Sequence, residues 1–179
     1  MLRGDKVGLR ARYSADVPIL HAELYDDIET RSRADTRPWT PIGAESGSSP
    51  YATANPTDTT VCFSVLRLED GELAGEALLW DIDQHNRSAH VGISLRPSFR
   101  GQGLGSDAVR VLATYAFRIR GLHRLQVETL ADNTAMVRVA ASCGFTPEGR
   151  LKDAAWVDGG FVDEVVLGLL AESATKVPG

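Results

Sequence analysis

The sequence predicts an α+β fold: one mixed, partly parallel sheet of about seven strands, with a strand-helix-strand unit at its centre and flanking helices. Three observations carry that prediction. Two hairpin signals, Asp70-Gly71 and Asp158-Gly159-Gly160, each sit between strand-like runs. A glycine-rich turn, Arg100-Gly101-Gln102-Gly103-Leu104-Gly105, divides a strand-like run from one of helical period. Beyond that helix, Leu125, Val127 and Thr129 alternate with Arg124, Gln126 and Glu128, which completes a crossover unit among hairpins.

Val7-Gly8-Leu9-Arg10-Ala11 reads as a first short strand. Ser14 then caps a helix whose apolar positions Val17, Leu20, Leu24 and Ile28 repeat at helical intervals. From Arg31 to Thr60 the chain turns to Pro, Gly, Ser and Thr, punctuated by Pro38, Pro41, Pro50 and Pro56, so a long loop with room for one short helix is expected. Val61 to Leu68 and Leu73 to Ile82 pair antiparallel across Asp70-Gly71, and Ser88 to Leu95 adds a third neighbour. A helix from about Gly103 to Arg118 carries Leu104, Ala108, Val111, Leu112, Tyr115 and Ile119 on one face. A strand over Leu122 to Leu130 follows, then a helix capped by Asp132 or Asn133 and ended by Gly144. Strands at Thr146 to Ala155 and Phe161 to Leu170 form the last hairpin.

A chain of 179 residues, 43% hydrophobic and 24% charged, is expected to fold as one globular domain over 1–179. Its longest apolar runs, such as Val165 to Leu170, fall well short of the roughly 20 residues of a membrane helix. Met1 to Lys6 lacks the apolar core of a secretory signal, so a cytoplasmic protein without membrane association is expected. Cys62 and Cys143 stand far apart among apolar neighbours and read as reduced thiols. Together with His21, His85, His90 and His123 they show no metal-ligand spacing, so no metal is expected. The net charge of -5 disfavours nucleic acid and favours a cationic small molecule or a basic peptide.

The glycine-rich turn carries the most chemistry. Glycines at 101, 103 and 105 let the backbone bend sharply and bring its amides close to a ligand. The helix that follows presents unpaired N–H groups and the positive end of its dipole, a natural seat for a pyrophosphate on Gln102, Gly103, Leu104, Gly105 and Ser106, with Arg100 adding a fixed charge. The same glycines could serve only a tight strand-to-helix connection. Their spacing departs from the dinucleotide Gly-x-Gly-x-x-Gly, and no Gly-Lys-Ser/Thr ending supports a nucleoside-triphosphate loop.

The turn resembles the acyl-CoA motif of the GNAT superfamily of N-acetyltransferases, Gln or Arg, two residues, Gly, one residue, then Gly or Ala, matched by Arg100, Gly103 and Gly105. Asp132-Asn133, Ser142-Cys143-Gly144-Phe145 and Glu148-Gly149-Arg150-Leu151 resemble the signature of the RimJ/RimL-type branch that acetylates ribosomal-protein amino termini. The likeness runs over most of Arg10 to Leu170 and implies a GNAT-like sheet, with acetyl-CoA as cosubstrate and no metal. In such proteins the strand before the turn is bulged and splays from the next, and the pantetheine arm bonds to backbone in the opening. Here that implies Ile93, Ser94 and Leu95, with Gly101 in the phosphate turn and Asn133 at the position that commonly contacts pantetheine. Asn133 also suits a helix cap. The acceptor implied is a small-molecule or peptide amine: a protein N-terminus, a polyamine or a metabolite. A homodimer is left open.

The family reaction is direct attack of an amine on the thioester, so an ammonium of pKa about 8 to 10 must lose a proton. Glu128, five residues before Asn133, stands where some amino-terminal acetyltransferases carry a base, and its strand pattern equally allows a solvated surface role. The family's general-acid tyrosine is replaced by Ala140, and the serine and glutamate of the ribosomal branch by Met136 and Ala155. Tyr25, Tyr51, His90 and Ser142 remain as proton donors. Trp39 and Trp156 are candidates for the acceptor-pocket wall, and Asp26, Asp27, Glu29, Asp35 and Glu45 for attracting a cationic acceptor. The missing tyrosine keeps a noncatalytic acyl-CoA-binding or sensor module as a second reading, beside transfer of a different acyl group. A nucleotide-binding domain is a third.

Overall fold

The computed structural model describes residues 1–35, 37–53 and 57–174, so Pro56 of the predicted loop lies outside the described residues. Eight strands form one sheet: β1 (Leu2–Arg3), β2 (Val7–Arg10), β3 (Val61–Arg67), β4 (Leu73–Asp83), β5 (Ser88–Leu95), β6 (Arg124–Leu130), β7 (Thr146–Val157) and β8 (Gly160–Leu170). Their spatial order is β1-β2-β3-β4-β5-β6-β8-β7. Neighbours are antiparallel except β5 and β6, the parallel pair on either side of the crossover. The strand beyond the expected seven is β1, two residues paired with β2.

The helices are α1 (Val17–Leu20), entered through a 3-10 turn (Ser14–Asp16) and extended by a π turn (His21–Tyr25); α2 (Ile28–Ala34); α3 (Leu104–Thr114), extended by a π turn (Tyr115–Ile119); α4 (Thr134–Ser142); and α5 (Ala171–Ala174). Ala108, Val109, Leu112 and Ala116 of the α3 segment pack on Ala77, Leu79, Val91, Leu125 and Val127 of the central strands to form the main core. Strand alternation turns the next residues in line, Glu76, Trp80, His90, Ser94, Gln126 and Glu128, to the opposite face. On that face Leu20, Leu24, Tyr25 and Tyr51 pack against Leu73 and Leu66.

Ser14 does not cap the first helix. The cap is Tyr13, whose N–H donates to the Asp16 carboxylate at 2.8 Å. Helical periodicity breaks at Asp27, whose carboxylate caps α2 by accepting from Thr30 N–H at 3.1 Å, so Ile28 belongs to a separate helix and is exposed. Ile119 is exposed as well, because the wider π turn rotates it off the apolar face of α3. The other unexpected feature is a buried aspartate. Asp107 of α3 accepts from the backbone N–H of Lys6 at 2.8 Å and of Val7 at 2.9 Å, which pins the start of β2 to the helix.

Asp16 joins the first helix to the sheet by accepting two bonds from Arg10, at 2.6 and 2.9 Å, and one from Ser64 at 2.8 Å. Burial alone would raise this carboxyl; the Arg10 guanidinium, the Tyr13 N–H and the Ser64 hydroxyl outweigh it and hold it below the ordinary range. A depressed folded value contributes stability that is present above the unfolded value of about 3.9 and is lost as pH falls through the folded one. Asp16→Asn is expected to lower unfolding stability by about 2–3 kcal/mol at neutral pH. Denaturation across an acid series should show the gap between the two proteins closing progressively below about pH 4.

Candidate active site

After β5 the chain makes a short 3-10 turn (Pro97–Phe99) that buries Phe99, then enters the glycine turn. Gly101 (φ 74) and Gly103 (φ 79) both adopt left-handed backbone, and Gly103 is the N-cap of α3. Gly105 has no such constraint: a Cβ there would meet Val139 at 3.5 Å and Leu95 at 3.8 Å, ordinary contacts that suit the Gly-or-Ala position of the motif. The first helical bond runs from Asp107 N–H to Gly103 O at 3.3 Å. Among the described residues, the amides of 101–106 donate to no protein acceptor and stand free at the positive end of α3. That is the donor set an oxygen-rich anion such as a pyrophosphate fits.

The side chains of the turn are partly committed. Arg100 Nε donates to Leu95 O at 2.9 Å, fastening the turn to the end of β5. Gln102 Nε2 donates to Ser98 O at 2.8 Å while its Oε1 accepts from Arg67 at 3.3 Å. Lys6 adds a cation that the sequence reading missed: its Nζ donates to Gln102 O at 3.1 Å. Nothing in the local pattern of Gly4-Asp5-Lys6 marks it, because the Asp107 bonds are what carry it there.

Beside the turn the sheet opens. β5 and β6 share only three pairs, Ser88 with Arg124, Ala89 with Leu125 and His90 with Gln126. Beyond them Val91 to Leu95 pair only with β4, and Val127 to Leu130 only with β8. Ile93, Ser94 and Leu95 therefore present one backbone edge to a gap that leads to the turn. The expected bulge falls elsewhere: the register of β5 against β4 is regular to Trp80 opposite His90, and the extra residue lies in β4 between Trp80 and Asp83. Asp81 sits in that bulge with a left-handed φ of 50. Asn133 is the N-cap of α4, accepting from Met136 N–H at 3.2 Å and donating to Thr129 at 3.0 Å.

Glu128 lies on β6 just past the last shared pair, on the face opposite α3. Gln126 Nε2 donates to its Oε1 at 2.7 Å, and His90 Nδ1 stands 4.0 Å from the same oxygen. Two strands along, the buried Glu76 pairs opposite Ser94 and bridges to Arg12. Burial pushes the Glu76 carboxyl up, against the pull of Arg12. The pair is absent from the sequence-based candidates, although a lone glutamate inside the apolar run Leu73-Ala74-Gly75-Glu76-Ala77-Leu78-Leu79 is a signal that could have found its buried member.

The remaining candidates are not gathered here. Tyr25 donates its hydroxyl to Thr40 O at 2.8 Å and receives Trp39 Nε1 at its own carbonyl at 3.1 Å, so both serve packing. Tyr51 is buried, and burial pushes its phenol up. Ser142 donates to Val139 O at 2.8 Å and to Ser106 at 3.1 Å, tying α4 to the start of α3. Trp156 is 62% exposed and packs edge-on against Phe161 near the hairpin end. Of the acidic set, Asp35 is held by Arg31 and Arg37, and Asp27 is a cap. Both cysteine thiols are pushed up by burial, which fits inert side chains. Among the described residues there is no cluster able to hold a metal, and no helix is long and apolar enough to cross a membrane.

Comparison with known proteins bears on this geometry. YdaF of Bacillus subtilis (strain 168), named as an N-acetyltransferase, is 36% identical over 103 residues, 58% of this chain and 56% of its own length. The chain thus spans little more than half of that relative. "Probable N-acetyltransferase YjcK" of the same organism is 28% identical over 176 residues, 95% of this chain and 97% of its own. A crystal structure of spermidine N-acetyltransferase from Vibrio cholerae in complex with CoA and spermine has the same fold, with a TM-score of 0.85, 22% identity, and coverage of 96% of this chain and 99% of that one. The model of the Acetyltransferase (GNAT) domain matches residues 6–146, from the lysine beside the glycine turn to the start of β7, and the chain belongs to that family.

Proposed function

We propose that the chain is an N-acetyltransferase that moves the acetyl group of acetyl-CoA onto a primary amine of a peptide, polyamine or small metabolite by direct attack. The observation that carries this reading is the continuity of two features: free amides and Lys6 at the start of α3, and the gap between β5 and β6 that leads away from them. The first suits a pyrophosphate on Arg100 to Ser106, and the second suits a pantetheine arm bonded along Ile93, Ser94 and Leu95. Asn133 keeps one amide hydrogen for that arm while it caps α4. Names and contents of relatives support the same reading, since the similar-fold spermidine enzyme holds CoA and a polyamine. Glu128, at the mouth of the gap, takes the proton from the amine.

Acetyl-CoA should raise the melting temperature and go on raising it with the logarithm of its concentration above Kd, because a ligand bound only to the folded state adds about 2.7 kcal/mol at a hundred times its Kd. A screen of peptide amino termini, polyamines and amine metabolites, following thiol release with product mass, then tests transfer. Binding without any acetylated product would favour the sensor reading. At the turn, Gly103→Ala must hold a left-handed φ and should cost about 1–2 kcal/mol of stability together with CoA affinity, whereas Gly105→Ala should leave both nearly unchanged; calorimetric titration with melting curves separates the two. Glu128→Gln should lower kcat about 10²- to 10⁴-fold with acetyl-CoA affinity retained. Equal pH profiles of kcat/KM for the two proteins would remove Glu128 from the reaction.

A further inference from the structure

The bulge in β4, the last shared pair of β5 and β6, and Glu128 converge on one imidazole. His90 points to the face opposite the α3 core, its ring tilted over Trp80 with centroids 4.2 Å apart. Its Nδ1 is buried, has no hydrogen-bond partner among the described residues, and lies 4.0 Å from Glu128 Oε1. Its Nε2 lies 3.9 Å from Asp81 Oδ2, and the Asp81 side chain is 76% exposed. The carboxylate, imidazole and carboxylate thus form a line across β6, β5 and β4, running from the wall of the gap to open solvent.

Two features argue that this line is built for more than packing. Asp81, the residue 3.9 Å from His90 Nε2, sits in the bulge with a left-handed backbone, a conformation unusual for a residue other than glycine, and bulges are known to re-aim side chains beside active sites. The buried Nδ1 faces the one carboxylate at the mouth of the gap, and leaving a buried polar atom without a partner is costly. Gln126 holds Glu128 in place from its own strand, and Arg124 is drawn aside to Glu148 and Gln126. Glu164, on β8, is the other acid near Glu128; burial, then the charge of Glu128, pushes its carboxyl up. The groups facing His90 are therefore Asp81 and Trp80 from β4 and Gln126 and Glu128 from β6.

The geometry points to His90 as a second proton-transfer group of the reaction, relaying a proton from Glu128 through its ring to Asp81 and water. This rests on the acetyltransferase reading. In the transfer, the amine nitrogen attacks the thioester carbonyl, the C–N bond forms, the C–S bond breaks and CoA leaves as its thiolate. The ammonium gives up two protons overall: one ends on the sulfur, the other in bulk water. The bulk-bound proton passes from nitrogen to the Glu128 carboxylate and from there to His90 Nδ1, and the Nε2 proton passes to Asp81 and on to solvent. Glu128 and Asp81 are then back in their starting states, while His90 is left as the Nδ1–H tautomer and regains the Nε2–H form by exchange with water once the products leave the gap. Separations near 4 Å close by small rotations or one bridging water when an acceptor fills the gap, as apo sites commonly tighten.

Three variants test the relay with an acceptor found in the amine screen. His90→Phe keeps a ring on Trp80 without a nitrogen, His90→Gln keeps hydrogen bonding without shuttling, and Asp81→Asn keeps a residue that tolerates left-handed backbone. Both His90 variants should lose about 10- to 100-fold in kcat near pH 7. Their melting temperatures and acetyl-CoA KM should stay unchanged, and the deficit should narrow toward about pH 10, where the amine arrives neutral. Asp81→Asn should show a smaller loss, about three- to tenfold, with the same pH trend. A folded His90→Phe with the wild-type kcat at every pH overturns the relay, and so does a deficit that is independent of pH and lies in the acceptor KM. Should both His90 variants fail to fold, a wild-type profile in Asp81→Asn overturns it instead. Wild-type protein that binds CoA yet acetylates no amine sinks the transferase reading and the relay together, whereas active wild type beside an unimpaired His90→Phe sinks the relay alone.

Discussion

Everything at the candidate site depends on one constraint: two parallel strands in the middle of the sheet stay together for three residue pairs and then part. Strands inside a sheet normally satisfy their N–H and C=O groups on both sides, and an unpaired buried group costs free energy comparable to a lost hydrogen bond. β5 and β6 can afford to separate because each keeps a full antiparallel partner, β4 on one side and β8 on the other. The outer pairings hold the sheet, and the inner edges are left for a ligand. Part of the deficit is met internally, since Arg100 donates to Leu95 O where β5 ends.

The parting is held in place from the α3 side. Asp107 takes two backbone N–H groups from the Lys6–Val7 segment, so the helix cannot shift along the sheet without abandoning a buried carboxylate. Gly4 belongs to the same fastening: a Cβ there would lie 2.4 Å from Asp107 Oδ2, so the tight approach of the first turn to α3 excludes any other residue without a shift. Ser142 and Cys143 fasten α4 to the same end of α3 through Ser106. The free amides of the glycine turn are thus positioned by contacts that lie outside the turn.

Local signals made much of this legible. Alternation in β6, the Asp-Gly turns, the helical period of α3 and the glycines at 101 and 103 each state their structure within a few residues, and each appears where expected. Less legible were features that exist only through tertiary contact. Ser14 is chemically a good cap, but the Asp16 carboxylate, fixed by Arg10 and Ser64 from two strands, took the role of securing the helix start. A bulge was expected in β5 and lies in β4, because period-two alternation does not reveal which of two paired strands carries the extra residue. Lys6 and Asp81 owe their roles to contacts with chain segments distant in sequence, and no pattern near them announces a ligand or a proton path.

The alanine at position 140, where the family's tyrosine would stand, bears on which proton matters most. A thiol of ordinary pKa near 8.5 gives up its proton at neutral pH for about 2 kcal/mol, so a departing thiolate needs little help from an acid and can take its proton from water. A lysine-like amine of pKa about 10.4 requires roughly 4.6 kcal/mol to become neutral at the same pH, and no nucleophilic attack occurs until that is met. The larger demand lies on the base side. It is there, on the face away from α3, that this chain concentrates its carboxylates and its one imidazole beside the gap: Glu128 at the mouth, His90 behind it and Asp81 at the solvent edge. On the proposed reading, a site so arranged commits its polar groups to removing the proton from the nucleophile, and the absence of a tyrosine at the leaving group accords with the smaller cost of forming the thiolate.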